Sequence, residues 1–395
     1  MAYTLTKKAL LLDLYAAFAC AKQHKASKAY VLHFRRYLDQ NLRRLCDDLW
    51  DRKYKPEPSS CFIVERPKKR EVFAAQFRDR VVHHLYYNYT HFLFERTFIQ
   101  DSYSCIPGRG THYGVKRLEM HIRQESHNYT RRCYALKLDK RGYFMHIDRN
   151  RLLDITIATL DKMGIHRVGS SRQTWNDELD MDFVKWLSKE IIMLNPKTNC
   201  HIVGSVRDWD GLDRNKSLFY TADGCGLPIG NLTSQLLSNV YLNNFDQYMK
   251  QVLHCKHYGR YVDDSYVIST DKEWLLGLVP KIRAFLKDQL GLDLHMGKLH
   301  LSDVSLGVEF LGAFVRKFRT YVSRASIRRS VAGILGIDIG DAGQSWRSIN
   351  SYVGMMSHYT SYHIRCRVFL RQEFLSISTF DRDVKKMNKP LFINI

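Results

Sequence analysis

Asp263 and Asp264 stand side by side between β-rich flanks, Arg260-Tyr261-Val262 and Ser265-Tyr266-Val267-Ile268. That pattern predicts a strand, a tight acidic turn and a second strand, with both carboxylates projecting past the sheet edge. Two carboxylates forced together repel each other, which is tolerable when a divalent cation neutralises them. The pair Asp47-Asp48 has no such flanks and reads as helix surface. Asp139 ends another predicted strand, Cys133 to Asp139. Alone it reads as a cap or surface residue. Joined to Asp263 and Asp264, it completes a three-carboxylate set able to hold two Mg²⁺ ions about 3.5–4 Å apart, which suits in-line phosphoryl or nucleotidyl transfer. One ion lowers the pKa of an attacking 3′-hydroxyl, and the other binds a triphosphate and steadies the leaving pyrophosphate. Lys68, Lys69 and Arg70 lie between two short predicted strands, Cys61–Val64 and Glu71–Phe73. A basic hairpin tip of that kind can fold over a triphosphate, Arg as a bidentate grip and Lys as a point charge.

The rest of the chain must position these groups. It has 395 residues, with 61 Lys+Arg against 40 Asp+Glu, a formal charge of +21. Apolar residues at 45% and aromatics at 12% exclude a disordered chain. The positive surplus predicts a polyanionic partner, nucleic acid or an anionic membrane surface. Nine cysteines without C-x-x-C or zinc-ribbon spacing read as reduced thiols, which places the protein in the cytoplasm. No apolar run is long enough to span a membrane. The stretch Ala9–Ala21 after Lys7-Lys8 is interrupted by Asp13 and reads as an ordinary helix rather than a signal peptide.

Helical spacing predicts helices over 5–22, 27–50, 77–99, 149–163, 181–194, 234–252 and 273–290, and from the glycine-bearing loop Pro107–Thr111 to about 125. Residues 299–323 read as β-rich. Residues 195–225 are polar and irregular, long enough to suggest a role of their own. The segment 313–395 carries 14 Lys+Arg and 5 Asp+Glu, and Trp346, Ile349, Tyr352, Val353 and Met356 recur at helical spacing. Together these predict a helical lobe that grips nucleic acid. Asp79 reads as the partner of a neighbouring Arg, and His83 and His84 as packing residues.

Taken in order, these motifs resemble the palm and fingers of a reverse transcriptase. Asp139 with Tyr143 and Phe144 resembles the first palm motif, and Tyr261-Val262-Asp263-Asp264 the Tyr-x-Asp-Asp hairpin. Gly291 to Lys298 resembles the next motif, with Lys298 near the pyrophosphate, and Phe310-Leu311-Gly312 the primer-grip hairpin. Upstream, Pro67-Lys68-Lys69-Arg70, Phe77 to His84 and Gly108-Arg109-Gly110-Thr111 resemble the fingers of bacterial group II intron-like enzymes. The resemblance covers about residues 50–325.

It implies an α+β right-hand fold: an N-terminal helical extension (1–50), fingers (51–130), a palm of antiparallel sheet and helices (131–312, with 164–225 partly finger-like) and a helical thumb (313–395). It implies catalytic Asp139, Asp263, Asp264 and Lys298, and metal-binding Asp139, Lys140, Asp263 and Asp264. Lys68, Lys69, Arg70, Tyr143, Phe144, Ile229, Gly230, Ser234 and Gln235 fall to the nucleotide. Arg78, Arg80, Arg109, Tyr261, Phe310, Leu311 and Gly312 fall to nucleic acid. Phe144 occupies the place of a bulky gate against a 2′-hydroxyl.

One departure points to a subfamily. Most reverse transcriptases carry Gln-Gly before the palm helix, whereas this chain reads Gly226-Leu227-Pro228-Ile229-Gly230-Asn231-Leu232-Thr233-Ser234-Gln235, with Ile229 at the Gln position. With Ser217-Leu218-Phe219 and Ser234 to Tyr241, the pattern resembles reverse transcriptases of diversity-generating retroelements, which copy a template RNA with errors at adenines. That resemblance implies two Mg²⁺ ions, deoxynucleoside triphosphates, template RNA and cDNA, a small basic accessory protein, and no membrane. The rival readings are another bacterial enzyme, such as a phage-defence type, and an inactive RNA-binding protein of polymerase shape.

Overall fold

The computed structural model describes residues 4–65, 68–337, 342–376 and 378–389. The chain opens with α1 (Lys7–Ala21), α2 (Ala29–Arg36) and α3 (Leu38–Trp50). Thr6 caps α1, its hydroxyl accepting from the Ala9 N–H. The single helix expected over 27–50 breaks at Tyr37, which leaves helical dihedrals (φ −121°, ψ 40°). The bend lets α2 pack on α4 while α3 packs on α1.

Next come β1 (Ser59–Val64), β2 (Arg70–Ala74), α4 (Phe77–Glu95) and α5 (Thr111–Glu125). Arg66 and Pro67, in the predicted basic turn, lie outside the described residues. Then follow β3 (Tyr134–Leu138), the one-turn α6 (Tyr143–His146), α7 (Arg149–Gly164), α8 (Met181–Ile192), β4 (Cys200–Ile202) and α9 (Leu232–Gln247). α9 runs on into a π-helical turn, Tyr248–Val252. Then come β5 (His257–Tyr261), β6 (Asp264–Ser269), α10 (Lys272–Leu290) and β7 (His300–Asp303). After these come β8 (Val308–Phe310), β9 (Ala313–Arg316), β10 (Arg319–Val322), α11 (Arg324–Leu335), α12 (Ala342–Ser357), α13 (Tyr362–Phe369) and α14 (Gln372–Leu375).

A four-stranded antiparallel sheet in the order β5-β6-β3-β7 holds the centre. The wide apolar stripe of α9 is buried: Leu236, Leu237, Val240, Tyr241, Phe245 and, beyond its end, Met249. They join one core with α1, α4 and α10. A second sheet, β2-β1-β4, has β4 parallel to β1, so part of the irregular 195–225 stretch is a strand. A third, β10-β9-β8, pairs across residue 312, where the palm was expected to end. The last helices form a separate core in which Ile349, Val353 and Met356 meet Phe369, Phe374 and Met387.

Candidate active site

β5 and β6 pair with Tyr261 opposite Asp264, leaving Val262 and Asp263 as a two-residue tip. Val262 sits at φ +54°. A β-branched residue seldom adopts that conformation and needs surrounding structure to hold it there. Its N–H donates to Ser104 Oγ (3.3 Å), and its carbonyl accepts from Arg260 Nη1 (3.0 Å). Arg260 is itself fixed by a forked pair with Asp246, at 2.8 and 2.6 Å.

β3 lies beside β6 with Leu138 opposite Ser265. One further step along that register puts Asp139 opposite Asp264, at the end of the sheet that bears the tip. Burial, then repulsion from Asp264 and Asp139, pushes the Asp263 carboxyl up to about 6. Burial and Asp139 likewise raise Asp264. Asp139 Oδ2 is held by the Lys298 ammonium, while its Oδ1 is buried without a hydrogen-bond partner.

An oxygen-only set of mutually repelling carboxylates with one orphaned oxygen suits a hard divalent cation. Among the described residues no three His, Cys, Asp or Glu side chains converge closely enough to form a ligand cluster as they stand.

The reverse transcriptase (RNA-dependent DNA polymerase) family model matches residues 67–315, well over half of the chain. The chain belongs to the reverse transcriptase family. The chain has the family's right-hand α+β polymerase fold. Among solved structures it is similar to telomerase from Candida albicans in complex with a fragment of telomeric RNA, at 10% identity and a TM-score of 0.46, covering 84% of this chain and 63% of that one. It is also similar to apo telomerase from Candida tropicalis, at 10% identity and a TM-score of 0.46, covering 81% and 57%. The chain thus spans less than two thirds of these proteins. No curated protein sequence matches it.

Several side chains expected to face nucleotide or nucleic acid are spent inside the protein. Lys140 is fully buried, and its ammonium donates to the Asp263 carbonyl (3.0 Å) and Ser265 Oγ (3.1 Å). An ammonium has no lone pair, so the Lys140 side chain is no metal ligand; it is a cation beneath the acidic turn, brought down to about 8 by burial and by Arg260. Tyr143 is 3% exposed and its hydroxyl donates to the Ser238 carbonyl, so its ring faces core rather than nucleotide. Phe310 is buried edge-on against Tyr266, which withdraws it from nucleic acid. Leu311 and Gly312 form the tip of that hairpin at φ +49° and +83°, and both remain partly exposed.

The residues expected in the fingers divide in the same way. Lys69 is tied to Glu65 (2.9 Å) and the Asp210 carbonyl (2.8 Å), while Lys68 and Arg70 are exposed. Arg78 pairs with Asp48 and Asp79, Arg80 donates to the Ala75 carbonyl and the Tyr30 hydroxyl, and Arg109 donates to the Ile99 and Ser102 carbonyls. These three are structural braces, not free cations. Asp79 therefore does pair with its neighbouring Arg, and His83 is buried as expected of a packing residue.

The loop before α9 is stitched to β2. The Phe73 N–H donates to the Ile229 carbonyl (2.8 Å), and a Cβ on Gly230 (φ +124°) would meet Val72 Cγ1 at 2.9 Å. Ile229 packs against Cys61, Phe73, Met145 and Leu218, and half-buried Phe144 adjoins the same cluster. Ser234 is buried in the first turn of α9, out of a nucleotide's reach, while Gln235 is exposed. Tyr261, beside the acidic turn, is half-buried.

Arg260, Asp246 and Ser104 were absent from the sequence-based set. The one available signal was the basic residue directly before Tyr261.

All nine cysteines are free, and no helix among the described residues is long and apolar enough to cross a membrane.

Proposed function

We propose that this reverse transcriptase copies a template RNA into cDNA by two-metal nucleotidyl transfer. The observation that carries the reading is that strand register sets Asp139, Asp263 and Asp264 at the same end of the central sheet, within the family match. Asp139, Asp263 and Asp264 are the residues to hold Mg²⁺, which when bound activates the primer hydroxyl and neutralises the triphosphate. Lys298, exposed beside Asp139, offers its ammonium to the departing pyrophosphate. Lys68 and Arg70 meet the triphosphate from the fingers, and Phe144 stands against a 2′-hydroxyl. On this reading the chain divides into fingers, palm and thumb, with the sheet β10-β9-β8 joining palm to thumb across 312.

Primer extension on an RNA template tests this. Wild type should incorporate deoxynucleotides only with Mg²⁺. Asp263→Asn should abolish synthesis, because an amide cannot replace a metal-bridging carboxylate. RNA binding should survive in that variant, because it draws on Lys and Arg contacts to phosphate. Normal extension by Asp263→Asn removes the assignment.

The finer reading is a diversity-generating retroelement enzyme with adenine-biased errors, working with a structured template RNA and a small basic accessory protein. Ile229 in place of the usual Gln supports it. Deep sequencing of cDNA from one template, tallied by template base, decides it: uniform errors across the four bases reject the subfamily.

A further inference from the structure

The irregular stretch 195–225 is docked on the fingers hairpin by one buried carboxylate. Glu71, in β2, is 1% exposed. Its Oε2 accepts from Trp209 Nε1 (2.6 Å) and Ser217 Oγ (2.7 Å), and its Oε1 from the Leu218 N–H (2.6 Å). All three donors belong to the irregular stretch, and no Glu71 ion pair occurs among the described residues. A buried carboxylate without a cation is costly unless hydrogen bonds satisfy it. Undocking the stretch would break all three hydrogen bonds at once, so the stretch and the hairpin hold each other in place.

Further contacts run the same way. β4 adds to β1 in parallel, with Ser59 opposite Cys200. Leu218 shares a core with Cys61, Phe73 and Met145, and Trp209, Phe219 and Ile229 pack against it. The stretch also reaches the palm: the Asn215 carbonyl lies 2.8 Å from where a Cβ on Gly142 (φ +54°) would stand. Gly142 follows Asp139-Lys140-Arg141, so one segment rests on both sides of the nucleotide site.

Strand alternation turns this anchor into aim. Successive side chains in β2 point to opposite faces. With Glu71 turned inward, exposed Arg70 points the other way. Arg70 opens β2 at the end next to the hairpin turn, paired opposite Val64.

We propose that Glu71 is a positioning residue: with Trp209, Ser217 and Leu218 it locks the 195–225 stretch to the fingers hairpin and so aims Arg70 at the triphosphate of the incoming nucleotide. This rests on the polymerase reading of the site.

Two readouts on the full chain test it. The first is hydrogen–deuterium exchange in wild type, Glu71→Gln and Trp209→Phe. However the Gln amide is turned, its NH₂ faces at least one N–H donor; Trp209→Phe keeps the packing and deletes one donor. Both variants should gain deuterium in the 203–220 stretch and in β2 together. Gain in only one of the two, or in neither, overturns the lock.

The second is single-nucleotide addition with the deoxynucleotide titrated. Glu71→Gln should raise KM about tenfold while kcat changes less than about twofold. Arg70→Ala should do the same, and the double variant should add little to either, because both act through one contact. Unchanged KM, a fall in kcat at constant KM, or full additivity overturns the aiming role. Should wild type extend no primer, the polymerase reading fails by itself, and the exchange data still decide the lock.

Discussion

Arg260 and Asp246 are both fully buried, and the forked ion pair between them lies directly beneath the acidic turn. Burial works against the guanidinium's charge, and Asp246 outweighs it, leaving the Arg260 pKa raised. The Tyr258 hydroxyl also donates to Asp246 (2.7 Å), and Arg260 reaches Asn239 Oδ1 (3.2 Å) and the Val262 carbonyl (3.0 Å). The pair therefore connects α9 and β5 to the residue whose positive φ sets the direction of Asp263.

Breaking this pair should be costly in two separable ways. Asp246→Ala leaves Arg260 charged and buried, and should lower stability by about 3–5 kcal/mol. Arg260→Met with Asp246→Leu removes both charges and should recover much of that loss in urea denaturation. The double variant should still extend primers poorly, because the Val262 carbonyl has lost its donor. A stable double variant with wild-type rates would show that the pair serves the fold alone.

Phe144→Ala should admit ribonucleotides. The ring is half-buried, edge-on to Tyr143 at 5.3 Å, so its position is set by packing rather than by a substrate. Removing it opens space beside C2′. The measurement is the ratio of kcat/KM for a ribonucleotide and its deoxy counterpart. An unmoved ratio would make Phe144 a core residue and no gate.

Ile229→Gln should reduce errors opposite template adenines more than opposite other bases, with synthesis retained. The Ile229 side chain offers no donor or acceptor and only packs, at the margin of the Cys61–Phe73–Met145–Leu218 cluster. A restored hydrogen bond is worth about 1 kcal/mol net, roughly fivefold in selectivity. Errors tallied by template base, wild type against variant, provide the check. An adenine-biased wild type with an unchanged variant would acquit Ile229.

His83 should make stability fall as the pH drops. Burial brings its imidazole down to about 4, against an ordinary value near 6.5. Between those values the unfolded chain binds the extra proton and the folded chain does not, so acid favours unfolding. His83→Gln removes this penalty. Relative to wild type, the variant should gain with falling pH from about 6.5 toward 4, by at most roughly 3 kcal/mol. Asp79, raised by burial to about 6, titrates with the opposite sign, and comparing the two proteins at each pH cancels it. Parallel stability curves in urea at pH 7, 6 and 5 would rule the effect out.

Local pattern carried much of the architecture. The acidic hairpin was legible because its strands, its two-residue tip and its carboxylates are contiguous. The buried stripe of α9 and the helices of the C-terminal core were legible from spacing alone. Asp139 could be joined to Asp263 and Asp264 only through the order of motifs, since β3 reaches them by pairing with strands more than a hundred residues away.

Which face a residue takes was decided by the tertiary structure. The period of two says that neighbours in a strand point apart, but not whether both faces are covered. In β5 and β6 both are covered, so Arg260 is as buried as Tyr258 and must find Asp246 on a helix. Lys140, Tyr143 and Phe310 sit within motifs whose neighbours face the cleft, yet their own side chains turn into the core. In the sequence Glu71 only opens the strand that follows the basic turn; the docking of a remote, irregular segment makes it a buried anchor. Residue types and spacing determined the chemistry the chain carries. Burial, which depends on what long-range pairing lays over each face, decided which of those groups are free to perform it.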